Sequence, residues 1–319
     1  MRALIVRRRD ERTREKVFVN DWPHPPAPLG NQVRIQTLYS GITNGTERNQ
    51  LLEGNYAPPD QKLPMPYGYQ TVGHVLDAGP DVSNLKVGDL VFVGAQTGGH
   101  LECIVVAEDD LLVKLPNSVD AKQAALFGMA AVALNTCRNA ALKMGERALL
   151  VGAGCVGQVA AQLAALAGAR VDICDVDERR LAVALAVGAA EKATCVAGNG
   201  WADYIADESY DAVLDFAGVP GMEDQLIRAV REGGQVLFIA GRDKVSYTFN
   251  LGQHRLITIK QNSHFYRHDL EDISRLVARG LVNLSPLLQD VVPAEDAKRI
   301  YDTLRDRPND LLGTVFTWQ

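Results

Sequence analysis

Two rhythms of apolar and polar positions divide the chain. From residue 1 to about 125, short apolar runs rich in β-branched side chains recur at Ala3 to Val6, Val33 to Leu38, Thr71 to Leu76, Leu90 to Val93, Glu102 to Val106 and Leu111 to Leu115. Gly, Pro, Asn and Asp punctuate them, which predicts the short strands of a compact barrel-like domain. Beyond Leu115-Pro116 the spacing turns helical: Asp120 can cap a helix from Lys122 to Leu126, and a second helical run covers Ala130 to Leu142. From 147 to about 262 strands and helices alternate. The strands are Ala148 to Val151, Val171 to Cys174, Ala193 to Val196, Asp211 to Gly218, Gln235 to Ala240 and Leu256 to Gln261; later helices are Leu181 to Gly188 and Gly221 to Glu232. That alternation predicts an α/β fold with a parallel, doubly wound sheet that binds ligands outside the carboxyl ends of its strands. Helices from Asp269 to Arg279 and Pro293 to Arg305, then a strand from Thr314 to Trp318, return the chain to the first domain.

One stretch carries chemistry. The buried run Ala148 to Val151 leads into Gly152, Gly154 and Gly157, and a helix follows with Val156, Val159, Ala160, Leu163 and Leu166 at helical spacing. Gly152 makes the turn, Gly154 lets backbone approach a pyrophosphate, and Gly157 lets the helix pack on its strand. The helix N-terminus offers free N–H groups and partial positive charge to phosphates. Asp175 ends the second strand, where a carboxylate accepts from both adenosine ribose hydroxyls and repels a 2′-phosphate, so NAD is favoured over NADP. Arg179 and Arg180 lie just after Asp175 and leave that choice open.

Composition narrows the partners. Of 319 residues, 23% are charged and 47% hydrophobic, with a formal charge of −6, which is an ordinary globular balance and argues against nucleic acid. Arg7, Arg8, Arg9, Arg12 and Arg14 alternate with Asp10, Glu11 and Glu15, as in a solvated turn. The chain carries no membrane-length apolar run, and its start lacks the apolar core and cleavage site of a signal peptide, so a cytoplasmic protein is expected. Cysteines 103, 137, 155, 174 and 195 lack C-x-x-C spacing and read as reduced, buried small groups.

The order of segments is similar to that of the medium-chain dehydrogenase/reductase superfamily, which contains the zinc alcohol dehydrogenases. Tyr39 to Ile42, Gly68 to Val75, Leu85 to Val91, Leu115-Pro116, Gly152 to Gly157, Asp211 to Asp215 and Gly233 to Val236 carry the likeness along the whole chain. It implies a GroES-like β-barrel catalytic domain (1–126 and 263–319) and a Rossmann dinucleotide-binding domain (127–262), in a homodimer acting on a small-molecule substrate. The departures concern metal. Where zinc members carry ligands this chain has Thr43, then Tyr69 in Gly68-Tyr69-Gln70, then Leu126-Phe127-Gly128, and it runs from Val93 to His100 without a four-cysteine lobe. No zinc site assembles from these residue types. Within the superfamily, Ser40 to Arg48, Gly68-Tyr69 and the terminal aromatic strand resemble the bacteriochlorophyllide a dehydrogenases, which oxidise a hydroxyethyl group on a chlorin ring with NAD.

Without a metal, protein groups must handle the alcohol proton and polarise the carbonyl. Thr43, Glu47, Tyr69, Gln70, Gln96 and His100 are the types available near the expected cleft, and Glu47, Tyr69 and His100 are the catalytic candidates. Glu47 reads either as a base of raised pKa beside an apolar substrate or as an ion-pair partner of Arg48 or another cation. Tyr69 reads as a phenol donor or as filler of the space a metal would take. His100 reads as a base or as a hydrogen-bonded packing residue. His74 reads as structural; His264 and His268, with Phe265 and Tyr266, lie past the last sheet strand, where a loop can border the cleft or a subunit contact. The cofactor set is Gly152, Gly154, Cys155, Val156, Gly157, Asp175, Val176 and Arg180, with Ala217, Gly218, Ala240 and Gly241 in the turns after later strands; the resemblance adds Asn44 and Arg48. The expected activity is an NAD-dependent, zinc-independent interconversion of a secondary alcohol and a ketone. The alternatives are an NADPH-type quinone or enone reductase of the same fold and a non-catalytic NAD-binding protein.

Overall fold

The computed structural model describes all residues except 59, 96–98 and 197–200, so Gln96 lies outside the described residues. The chain divides into two compact units, one of Met1–Met129, Tyr266–Gly280 and Leu288–Gln319, the other of Ala130–Phe265 and Leu281–Leu287.

In the second unit, six strands form a parallel sheet: Arg147–Val151, Arg170–Asp175, Lys192–Cys195, Tyr210–Asp215, Val230–Phe238 and Thr258–Gln261. Their spatial order is third, second, first, fourth, fifth, sixth. Leu149, Leu150, Ile173, Val213 and Leu214 are wholly buried, because a sheet covered on both faces needs apolar side chains on both sides of each strand. The winding reverses between the first and fourth strands, which opens a crevice at their carboxyl ends. The predicted helix to Glu232 ends at Ala229, and Val230 to Glu232 already belong to the fifth strand.

In the first unit the described residues form a seven-stranded sheet around Gln32–Gly41 and a four-stranded one around Ala3–Arg8. Ile35, Val33, Val91 and Ile104 make one apolar core; Ile42, Leu51, Ile300, Leu304, Phe316 and Trp318 make another under the helix Ala297–Asp306. The arginine run is largely the solvated turn expected, with Arg7, Arg8, Arg9 and Arg12 exposed, but Arg14 departs from it. The run lies in a hairpin of Ala3–Arg8 with Arg14–Val19, in which Arg14 and Lys16 are only 1% exposed. The helix Asn44–Leu51, with Glu47 and Gln50 buried, covers that face of the hairpin. The α/β architecture is therefore a Rossmann-type parallel sheet plus a GroES-like unit. No helix among the described residues is long and apolar enough to cross a membrane.

Candidate active site

In the second unit the glycine turn is built as its sequence demands. Gly152 has φ of +102°, a conformation that disfavours side chains. A Cβ on Gly157 would lie 2.0 Å from the Gly152 carbonyl oxygen, so only glycine lets the helix Cys155–Leu166 seat on the turn. A Cβ on Gly154 would meet nothing within 4 Å, and Gly154 caps the helix without a side-chain bond. The first-turn N–H groups there have the orientation that binds anions. Asp175 accepts from Ala153 N at 2.6 Å and Asp177 N at 2.9 Å, which fixes its carboxylate beside the turn. Each oxygen retains a lone pair for a further donor. Buried Gln158, which sequence reading missed, donates to the Arg180 carbonyl at 2.6 Å and the Ala153 carbonyl at 3.3 Å, tying the turn to the segment after Val176. Burial pushes the Cys155 thiol up to about 12, against the nearby Arg180 charge, so it stays protonated.

At the carboxyl ends of the fourth and fifth strands, buried Asp215 accepts from Ala217 N and Gly218 N, each at 3.0 Å. Gly218 lies so close to Ala240 that a Cβ would sit 2.7 Å from the alanine methyl. The turns 217–218 and 240–241 are thus brought together beside Gly152, whose own Cβ would be 3.0 Å from Ala217 N.

In the first unit, Thr43, Tyr69, Gln70 and Gly128 converge. Gln70 is fully buried; its amide N–H groups reach the Gly41 carbonyl at 3.4 Å and Thr43 Oγ1 at 3.3 Å, and its Oε1 accepts from Met129 N at 3.0 Å. The Tyr69 ring occupies the room that a side chain on Gly128 would need: an added Cβ would be 2.9 Å from Tyr69 Cε2. Burial pushes the Tyr69 phenol up to about 12, opposed by hydrogen bonding with Thr43 and Thr46 and reinforced by the Glu47 charge. It is therefore a neutral donor at physiological pH.

Glu47 and His100 do meet, in a closed cluster behind Thr43. Glu47 Oε2 accepts from Lys16 Nζ and from the Tyr301 hydroxyl, both at 2.6 Å. Oε1 accepts from Thr43 N at 2.9 Å, and His100 Nε2 lies 3.2 Å from both oxygens. Trp318 Nε1 donates to Ser40 Oγ at 2.9 Å, and Ser40 Oγ is 2.7 Å from His100 Nδ1. A carboxylate only accepts, so neutral His100 carries its proton on Nε2 and Nδ1 accepts from Ser40. Lys16 also donates to the Tyr67 carbonyl at 2.5 Å and lies 4.6 Å from the centre of the Tyr301 ring. Burial alone would raise the Glu47 pKa, but the Lys16 ammonium and then His100 outweigh it and hold the carboxyl well below its usual range. Of the two readings of Glu47, this geometry is that of the ion pair and not of the base of raised pKa; the cation is Lys16, not Arg48, and it lies against the carboxylate. Burial and the Lys16 charge lower the His100 pKa, and burial followed by the Glu47 charge raises Tyr301.

Asn44 and Arg48 engage the chain's own C-terminal segment. Asn44 donates to the carbonyls of Leu311 and Leu312 at 3.1 and 3.0 Å, and Arg48 Nε to that of Arg305 at 3.3 Å. His74 is exposed on its strand, and His268 stacks on Tyr266. Cys103, Cys137, Cys174 and Cys195 are free thiols.

A parallel sheet with a glycine phosphate turn, in one chain with a mainly antiparallel GroES-type unit, defines a two-unit dehydrogenase. Residues 30–129 match the family model described as alcohol dehydrogenase GroES-like domain, and 155–279 the model described as zinc-binding dehydrogenase. L-threonine 3-dehydrogenase of Streptomyces coelicolor is 30% identical over 75% of this chain and 77% of its own. Probable D-xylulose reductase A of Arthroderma otae is 25% identical over 91% and 92%. The structure of 2R,3R-butanediol dehydrogenase from Bacillus subtilis matches with a TM-score of 0.82 at 21% identity, over 100% of this chain and 99% of that one. The chain belongs to the medium-chain dehydrogenase/reductase superfamily, the zinc-type alcohol dehydrogenase group, and is an oxidoreductase.

The group implies zinc, and the residues present do not fit it. Among the described residues no three or more His, Cys, Asp or Glu side chains gather where they could hold a metal ion, and the remaining eight positions contain none of these types. At the converging positions the donors are a threonine hydroxyl, a neutral phenol and an amide already bonded to protein, which are poor zinc ligands.

Proposed function

We infer that this enzyme interconverts a secondary alcohol and a ketone with NAD and without zinc. The observation that carries the reading is the Thr43–Tyr69–Gln70–Gly128 arrangement, in which protein hydrogen bonds and an aromatic ring occupy the space beside the would-be ligand positions. The relatives' names, a xylulose reductase and a threonine 3-dehydrogenase, support alcohol and ketone chemistry.

The dinucleotide is assigned to the turn Gly152, Gly154, Cys155, Val156 and Gly157, to Asp175, Val176 and Arg180, and to Ala217, Gly218, Ala240 and Gly241. When bound, NAD supplies a hydride acceptor for the carbinol carbon. The rest falls to the chain. Tyr69, protonated across the neutral range, donates a hydrogen bond to the substrate oxygen and so stabilises negative charge that develops there. In ketone reduction Tyr69 passes this proton to the substrate oxygen and is reprotonated through the Thr43 and Thr46 hydroxyls; in alcohol oxidation the substrate proton leaves to solvent along the same path, each hydroxyl accepting one proton as it passes one on. Glu47 and His100, sequestered with Lys16 and Tyr301, hold the Thr43 backbone in place instead of exchanging protons with substrate. Asn44 and Arg48 fasten the C-terminal segment in the same unit.

The likeness of Ser40 to Arg48 to the bacteriochlorophyllide a dehydrogenases supports a hydroxyethyl chlorin as a substrate to set against small secondary alcohols and polyols. A cytoplasmic homodimer belongs to the same reading: Cys103, Cys137, Cys174 and Cys195 are free thiols, and Thr258–Gln261 is an edge strand with exposed ends. The test is a panel of these alcohols assayed with NAD and NADP after removal of free metal. Turnover with NAD supports the reading. Turnover only of quinones or enones with NADPH overturns it, as does NAD binding with no oxidation of any alcohol.

A further inference from the structure

Buried between Gly41 and Gly128 in the first unit is an amide, Gln70, that exchanges no proton. It is 0% exposed, beside Thr43 at 6%. Its partners settle which end is which. Met129 N only donates, and it does so to Gln70 Oε1 at 3.0 Å; the Gly41 carbonyl only accepts, and it lies 3.4 Å from Nε2. The side chain is also held sterically. A Cβ on Gly128 would lie 2.9 Å from Gln70 Oε1, and one on Gly41 would lie 3.2 Å from Nε2, so backbone closes on it from both sides.

A fixed amide dictates where the next hydrogen points. Gln70 Nε2 faces Thr43 Oγ1 at 3.3 Å, and an amide N–H can only donate there. The Thr43 hydroxyl is therefore an acceptor toward Gln70 and turns its own proton elsewhere. Its other partner among the described residues is the Tyr69 phenol, to which Thr43 and Thr46 both hydrogen-bond. A buried hydroxyl proton left without an acceptor costs free energy, so Thr43 donates to Tyr69. The phenol, accepting from Thr43, retains its own proton to give. Donation then runs one way, from Gln70 through Thr43 to Tyr69 and on to the substrate oxygen, the orientation that stabilises negative charge there.

We propose that Gln70 is a positioning residue that orients the Thr43 and Tyr69 hydroxyls as donors toward the substrate oxygen. This rests on the reading of Tyr69 as the group that donates to substrate. Full-length wild type, Tyr69→Phe, Gln70→Met and Gln70→Glu are compared in steady-state reduction, with NADH, of the ketone of the best-oxidised alcohol in the substrate panel. Methionine fills the space but cannot donate, so kcat falls about tenfold, the loss of one oriented hydrogen bond, while KM is unchanged. Glutamate keeps an acceptor for Met129 N, so it decides the matter if the methionine variant fails to fold. Its neutral carboxyl has one proton to share between Gly41 and Thr43; once ionised it only accepts, and it turns the Thr43 proton away from Tyr69. Burial raises that ionisation into roughly pH 6–9, and the ratio of variant to wild-type kcat falls about tenfold across it. The titratable groups around the pair, Tyr69 itself, Glu47 on the Thr43 N–H, and His100, Lys16 and Tyr301 on Glu47, are common to both proteins and cancel in that ratio. A ratio that does not change as the carboxyl ionises overturns the proposal, and so does a loss carried wholly by KM. Full activity in Tyr69→Phe, or a wild type that turns over no panel alcohol, overturns the underlying reading and this inference with it. An impaired Tyr69→Phe beside Gln70 variants that match wild type overturns this inference alone.

Discussion

Replacing Lys16 by methionine removes the cation that keeps Glu47 charged in a site where Lys16 is 1% and Glu47 2% exposed. The methionine fills most of the aliphatic volume, so the main loss is electrostatic. Glu47 keeps the Tyr301 hydroxyl, the Thr43 N–H and His100 as donors but loses the nearest positive charge, at 2.6 Å. Breaking one partner of a buried pair typically costs about 3–5 kcal/mol. In the wild type the folded pKa of Glu47 is depressed, so its stabilisation is full above the unfolded value of about 4.3 and is lost as pH falls through the folded value. In the variant, burial raises the folded pKa instead. The deficit relative to wild type is then largest at neutral pH and shrinks as the solution is acidified toward the unfolded value. Adding Glu47→Gln removes the stranded charge, and the double variant returns to within about 2 kcal/mol of wild type. Urea unfolding followed by the fluorescence of Trp318, whose indole N–H bonds Ser40 in the same cluster, reads each corner of the cycle in a background lacking Trp22 and Trp201. The reasoning fails if Lys16→Met costs under about 1 kcal/mol at neutral pH, or if Glu47→Gln deepens the loss.

Three further outcomes are expected. Tyr69→Phe lowers kcat by about 10²–10⁴-fold while leaving the melting temperature nearly unchanged; because the phenol is pushed up to about 12, the wild-type pH–rate profile shows no loss from its ionisation below pH 10. Gly157→Ala drives a methyl to 2.0 Å from the Gly152 oxygen, so the helix shifts off the turn; calorimetry should find NAD binding abolished and stability lower by about 1–3 kcal/mol. Asp175→Ala frees the Ala153 and Asp177 N–H groups and removes the charge facing a 2′-phosphate, so NAD binding weakens about tenfold and the preference over NADP disappears in parallel titrations.

The sequence is most legible where sterics leave one residue type. Gly152 and Gly157 are dictated by a positive φ and by a 2.0 Å approach, so the turn and its strand–helix context could be read directly. The Asp120 cap is similarly local: its side chain accepts from Lys122 N at 2.7 Å. Lys16 was invisible because its meaning comes from Glu47, Tyr67 and Tyr301, remote in sequence. Polarity alone put Arg14 in solvent. The burial of Arg14 and Lys16 depends on the helix Asn44–Leu51, which has almost no apolar stripe to announce it and is held by those same ion pairs and amide bonds. The fifth strand begins at Val230 because Tyr210 pairs with it before the register shift at Gly233 and Gly234, an irregularity that helical spacing could not foretell.

The central claim is tested most directly by zinc analysis of the active enzyme by mass spectrometry, with NAD-dependent oxidation of a secondary alcohol measured on the same preparation before and after exhaustive chelation. The account predicts turnover that is undiminished by chelation in protein with far less than one zinc per chain. Activity that tracks stoichiometric zinc, lost on chelation and restored by adding the metal, would contradict it.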